Sequence, residues 1–204
     1  MSALLCSFIF MWGNFISTLL GYSYSKINII LFVLHQMPKE ILLYGNIYSQ
    51  SASDFIESFN AIGEDEEVTV RVNTDGGSPE YGFGMIAKFI EHKGNKTVKI
   101  DGKAYSAGAF FALYADNVEA LDVSEFLIHR AAYPNWFEGS ESFTDELKGN
   151  LNRINGSLRK ALESKVDVSS FEKMTNTKIA DIFSMDSRKD VFLTAKQAKE
   201  LGIV

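Results

Sequence analysis

Lys99-Ile100-Asp101-Gly102-Lys103-Ala104-Tyr105-Ser106-Ala107-Gly108-Ala109-Phe110-Phe111 joins an alternating, half-apolar run to an almost wholly apolar one, with a single serine at the seam. Thr97, Val98 and Ile100 read as a half-buried strand, and Phe110, Phe111 and Leu113 to Ala115 as a buried helix. Gly102 permits backbone angles closed to other residues, while Ala104, Ala107, Gly108 and Ala109 let strand and helix approach closely. Ser106 is thereby displayed on a sharp strand-to-helix turn. A helix opening there leaves the Ala107 N–H unpaired at a positive dipole end, a donor suited to an oxyanion.

A serine hydroxyl attacks near neutral pH only with a base in reach, and that base needs a third group to orient it. Three histidines are available. His35 lies in an apolar N-terminal stretch, and His92, in Glu91-His92-Lys93, reads as a solvated residue at a helix C-terminus. His129 ends the apolar run Phe126-Leu127-Ile128, where a buried polar group requires a partner. Asp190, in Asp190-Val191-Phe192-Leu193-Thr194-Ala195, is the candidate third group, with Asp186 nearby. Taken singly, each has a plainer reading: a packing serine, a core histidine, a solvated carboxylate. Together they suggest a serine peptidase.

A second backbone donor is available in Val68-Thr69-Val70-Arg71-Val72-Asn73-Thr74-Asp75-Gly76-Gly77-Ser78-Pro79. The valines alternate as a strand, Gly76-Gly77 makes a turn, and Ser78 and Pro79 fit the N-cap and first position of a helix. The Gly77 N–H can then face the same pocket as that of Ala107. A phosphate-binding turn is the competing use of a double glycine, but neither nucleotide-binding glycine pattern is present.

From Pro38 to Val204 these elements resemble the ClpP-like serine protease family, the Clp protease proteolytic subunits, and within it the phage ClpP-like prohead or head maturation proteases. The resemblance rests on Glu40-Ile41-Leu42-Leu43-Tyr44-Gly45, the Asn73 to Ser78 turn, the Gly102 to Phe110 elbow, Leu127-Ile128-His129, and Asp190 to Gly202, in the family's order. It implies Ser106 as nucleophile, His129 as general base, Asp190 as orienting acid, and Gly77 and Ala107 as oxyanion-hole donors. It further implies an α/β ClpP/crotonase-like fold of repeated ββα units with a projecting handle helix, and no metal or organic cofactor. Protein or peptide substrates, a ring-forming homo-oligomer, and capsid or scaffold protein as targets follow from the same resemblance. A cellular paralogue working with an ATP-dependent unfoldase is the alternative. The chain departs from the family in placing Thr74-Asp75 where Ser-Pro is usual, and Ala107 where methionine often follows the serine.

Three other readings stay open. Crotonases use paired N–H groups on acyl-coenzyme A but rely on carboxylates. An inactive assembly subunit would result if Asp75 spoils the oxyanion site. Membrane-bound serine–lysine peptidases are kept open by the N-terminus.

The expected element order beyond Met37 is strand, helix, strand, helix, strand, helix, with parallel strands. The strands run Glu40 to Tyr44, Val68 to Val72, and into the elbow. The helices run from about Ser53 to Ala61, and from Pro79 to about His92 with Phe83, Ile86, Phe89 and Ile90 buried. Ala131 to Ser140 reads as a loop with exposed aromatics. A long helix from about Ser142 to Ser164 carries Leu147, Leu151, Ile154, Leu158 and Leu162 in one stripe, which by spacing alone faces a core. Ile179, Ile182 and Phe183 suggest a short helix, and Thr194 caps a last one stopped by Gly202. Asp190 then falls on a connection between helices, anchored by Phe192 and Leu193.

With 204 residues and 46% hydrophobic content the chain can bury one good core, and a net charge of −6 argues against nucleic-acid binding. Cys6 is the lone cysteine, which excludes an intrachain disulfide and a Cys-rich metal site and is compatible with a cytoplasmic location. Residues 1–37 read as a hydrophobic extension to a protease domain at 38–204, with Lys26 their only ordinary charge. Residues 3–20 are apolar enough for a short membrane tether, without the basic start of a secretory signal. A hydrophobic arm on another subunit, or leader sequence upstream of a true start at Met37, are the other readings.

Overall fold

The computed structural model describes residues 39–186 and 188–204. The apolar stretch at 3–20, His35 and Met37 lie outside them. Among the described residues no helix is long and apolar enough to cross a membrane.

Parallel pairing organises the sheet. Strand β1 (Lys39–Ile47) pairs with β2 (Val68–Gly77), and β2 with β3 (Lys96–Tyr105), all parallel. The far edge of β3 is shared: β4 (Asn117–Ala120) runs beside its first half and β5 (Glu125–Ile128) beside its second. Strand β6 (Val191–Thr194) closes the order β1-β2-β3-β5-β6 and is antiparallel to β5. Helices α1 (Ser49–Asn60), α2 (Pro79–Glu91) and α3 (Ala107–Tyr114) follow the first three strands, so each β-to-α turn lies at the C-terminal end of a parallel strand. Ligand sites of open α/β sheets form at such ends.

Alternation in the strands sends one set of side chains to the core. Ile41 and Leu43, Val70 and Val72, Val98 and Ile100, and Phe126 and Ile128 are buried on one face, where Phe55, Phe59, Phe89 and Phe111 meet edge-on or tilted at 4.9–6.0 Å between centroids. Each large apolar side chain so buried contributes about 1.5–3 kcal/mol. On the opposite face Leu42, Tyr44 and Phe192 are exposed, among a hydrogen-bonded set in which Arg71 forks onto Asp101 and Tyr44 donates to the same carboxylate.

The second half of the chain adds α4 (Asn135–Glu138), α5 (Asp145–Lys165), α6 (Val168–Thr175), α7 (Ile179–Ile182) and α8 (Ala195–Glu200). Thr144 caps α5 by accepting from Leu147 N–H, and Leu151, Leu158 and Leu162 are buried, so from Leu151 onward the helix faces the core. Leu147 is only half-buried, and the first six residues of α5 bury nothing. Thr194 and Gln197 form the expected capping box of α8, and Gly202 follows that helix with φ of 77°.

Several expectations are corrected. Helix α1 begins at Ser49, ahead of any apolar periodicity, because the Ser51 hydroxyl accepts from Tyr48 N–H and fixes the entry. Ile90 is 48% exposed, since Met85, Ile86 and Phe89 already fill the buried stripe of α2. His92 is 7% exposed; its Nε2 lies 2.7 Å from Glu66 O and its ring packs on Phe59. The 131–140 segment contains helix α4, and Tyr133, Phe137 and Phe143 pack on one another while Trp136 remains exposed. Asp190 precedes a strand, not a helix, and Phe192 points away from the core.

Candidate active site

Ser106 stands between β3 and α3 with φ of 55° and ψ of −122°, a left-handed conformation that costs a non-glycine residue on the order of 1–3 kcal/mol. Two contacts sustain it. Ser106 N–H donates to Leu127 O at 2.9 Å, tying the turn to β5, and Ser106 O accepts from Ala109 N–H at 3.0 Å, opening the helix. The strand-end turn of β2 is moulded to the serine. Gly76 has φ of 87°, and a Cβ there would lie 2.6 Å from Ser106 Cβ; a Cβ on Gly77 would overlap Ile47 O. Only a double glycine fits between β1 and the serine.

The backbone donors follow from the ladder. Gly77 pairs with Ile47, and Ile47 O accepts from Ser78 N–H at 3.0 Å. In a parallel register the N–H of Gly77 itself is therefore turned away from β1, toward the side on which Ser106 lies. Ala107 opens α3 and has no acceptor within its own helix. Both residues, with Ser106 and His129, line one cleft, one wall of which carries the apolar side chains Phe83, Ile86, Phe110, Ile154 and Leu158.

Thr74 and Asp75 occupy separate positions. Thr74 is buried, donates from Oγ1 to Gly45 O, and accepts at the same oxygen from Gly76 N–H at 3.0 Å, so it secures the glycine turn internally. Asp75 is exposed, with its carboxylate 2.9 Å from Lys103 Nζ. The acidic group beside the candidate oxyanion site is thus paired.

His129 is delivered by register. Tyr105 pairs with Leu127 in the parallel β3–β5 ladder, and Leu127 O accepts from Ser106 N–H at 2.9 Å, so His129 stands two residues past the carbonyl that ties the elbow to β5. In the antiparallel β5–β6 ladder Ile128 pairs with Val191, and one step beyond, His129 faces Asp190. His129 Nδ1 lies 3.8 Å from Asp190 Oδ1, an ion-pair distance longer than a hydrogen bond, with the carboxylate side chain 58% exposed and the imidazole 27% exposed. Nδ1 is therefore the nitrogen directed at the acid. Burial holds the His129 pKa below the usual 6.5; Asp190 opposes this, while Arg188 and Arg130 reinforce it. The net effect of this burial favours the neutral imidazole.

Sequence reasoning passed over Asn155, Arg130 and Glu138. Asn155 is buried within the apolar stripe of α5 and grips Ala131, accepting from its N–H at 2.7 Å and donating to its O at 3.2 Å. A lone amide between Ile154 and Leu158 on that stripe was the available signal. Arg130 continues the buried parity of Phe126 and Ile128, and an arginine at a core-facing step demands a carboxylate.

Residues 26–204 match the model of one protein family, described as Clp protease. No curated protein matches the chain.

Proposed function

We propose, from the premise that the chain belongs to the Clp protease family and is a ClpP-like serine protease, that Ser106, His129 and Asp190 form its catalytic triad. The observation that carries this reading is that a strained serine, Gly77, Ala107 and His129 line one cleft, with the imidazole 3.8 Å from the Asp190 carboxylate. In this reading Ser106 Oγ attacks the carbonyl carbon of a peptide bond and His129 Nε2 takes the hydroxyl proton. The N–H groups of Gly77 and Ala107 hold the developing oxyanion. The proton passes from His129 to the leaving amine, giving an acyl-enzyme, and water activated by the same imidazole releases the acid. Asp190 steadies the imidazolium through Nδ1. The apolar wall favours an apolar side chain beside the cleaved bond.

Proteases of this family act on protein substrates and usually form ring oligomers. The finer assignment is to a phage-type head maturation protease cutting capsid or scaffold protein in a cytoplasmic setting, with 38–204 as the protease domain and 1–37 as an extension. Its support is the sequence resemblance. The pairing of Asp75 with Lys103 favours an active enzyme over an inactive assembly subunit. Incubation of the full chain with an unfolded protein and with capped peptides tests the reading. Cleavage abolished in Ser106→Ala is expected; cleavage unchanged in that variant, or absent from the wild type on all substrates, overturns it.

A further inference from the structure

The β5–β6 ladder ends at the Ile128–Val191 pair, yet the two groups that matter to the proposed triad stand one step past it. His129, Arg130 and the residues from Arg188 to Asp190 have no regular secondary structure, so strand hydrogen bonds do not hold them. A polar cluster around the buried Arg130 does. Arg130, 3% exposed, forks onto Glu138 with Nη2 to Oε2 at 2.7 Å and Nη1 to Oε1 at 3.2 Å. Arg188 reaches the same carboxylate from the other segment, Nη2 to Oε2 at 3.1 Å, and donates to Tyr133 O at 2.7 Å. Tyr133 N–H donates to Glu138 Oε1 at 2.8 Å, which closes the loop on itself. One carboxylate thus joins the residue after His129 to a residue two before Asp190.

We propose that Glu138, clamped between Arg130 and Arg188, is a positioning residue that closes the open end of the β5–β6 ladder and sets both the separation and the electrostatic balance of the His129–Asp190 pair. The inference rests on the triad reading above. Its physics is specific to a carboxylate. The charged groups acting on the imidazole are Asp190 from the β6 side, Arg188 from the same segment and Arg130 from the β5 side. Glu138 is the counter-charge to both arginines. Burial by itself would raise the Glu138 pKa, but the two guanidiniums outweigh it and hold the group below its usual range, which favours the ionised carboxylate. Without that charge the pull of both arginines on His129 is less offset, and Arg188 is released to compete for Asp190. Both consequences favour the neutral imidazole.

Glu138→Gln keeps the shape of the side chain and removes its charge. Two readouts are taken on the full chain: the His129 imidazole titration by NMR, and the pH dependence of Ser106 phosphonylation by a fluorophosphonate. In Glu138→Gln the titration and the acid limb of labelling move together to lower pH, and the plateau rate falls roughly 10- to 100-fold from misplacement of the base. Arg188→Gln moves both to higher pH. Glu138→Asp restores the charge and returns the limb toward its wild-type position. A Glu138→Gln protein that titrates and labels as wild type overturns the proposal. Should that variant fail to fold, an unchanged titration in Arg188→Gln overturns it equally. Absence of Ser106 labelling in the wild type would defeat the triad reading instead, while the His129 titration still decides the role of Glu138.

Discussion

The two halves of the candidate site are built by opposite means. At the elbow, most of what shapes Ser106 lies within a few residues of it or in one facing glycine turn, namely the left-handed backbone, the start of α3 and Gly76 fitted against the serine, with one hydrogen bond to Leu127 O tying it to β5. At the ladder end, His129 and Asp190 are sixty-one positions apart in the chain and meet only because an antiparallel register places Ile128 opposite Val191. The elbow is short-range and closely packed; the ladder end is partly solvent-exposed, with a 3.8 Å gap between its partners. A nucleophile can be held by local sterics. A base and its acid require two segments to arrive together, and the structure places a partly buried carboxylate and two arginines at that junction.

Removing each half separately breaks the comparison most sharply. Ser106→Ala should reduce kcat on the order of 10⁶-fold, as expected when the nucleophile of a Ser–His–Asp unit is removed, while leaving the fold intact by circular dichroism. Asp190→Asn should cost less, about 10² to 10⁴-fold, because the carboxylate is exposed and not in hydrogen-bond contact with the imidazole. Steady-state kinetics on a capped peptide ranks the two.

The pH dependence separates the halves further. The His129 pKa lies below 6.5 chiefly through burial, so kcat/KM should hold across neutral pH and fall only below that value. Asp190 pulls that pKa upward, so in Asp190→Asn the acid limb moves to lower pH. The same depression sets a stability term. Between 6.5 and the folded-state value the unfolded chain binds the extra proton, so this contribution is complete above 6.5 and is lost as the pH falls through the folded value. Urea unfolding at several pH values, in wild type and His129→Ala, isolates it.

A change confined to the elbow should act on stability. In Gly108→Ala the new Cβ overlaps Thr74 Cγ2, the residue that secures the glycine turn, so a loss of about 1–3 kcal/mol is expected in denaturant unfolding. The smallest effect belongs to Asp101→Asn on the open sheet face. Arg71 and Tyr44 hold this carboxylate, and Arg71 keeps its pKa below the usual range. Since the Arg71 side chain is more than a third exposed, the cost should be about 1 kcal/mol or less, with the acid limb unmoved.

The same contrast explains what the sequence discloses. Alternating valines, Gly76-Gly77, and a serine among alanines and glycines state their conformations locally, so the parallel strands and the elbow are readable from the residues alone. Val191-Phe192-Leu193-Thr194 is too short to declare a strand, and its identity as β6 comes from pairing with β5. His92 illustrates the same limit: its charged neighbours suggest solvent, yet the carbonyl of Glu66, twenty-six positions away, takes its ring nitrogen inside. Arg130 and Glu138 become intelligible only once Arg188 is brought to them.

The most direct measurement is fluorophosphonate labelling of the full chain with mass mapping of the adduct, in wild type and His129→Ala across pH. A single adduct on Ser106, with a rate that follows one ionisation below pH 6.5 and collapses without His129, is the predicted result. Labelling at another residue, or at Ser106 with an undiminished rate in His129→Ala, would contradict it.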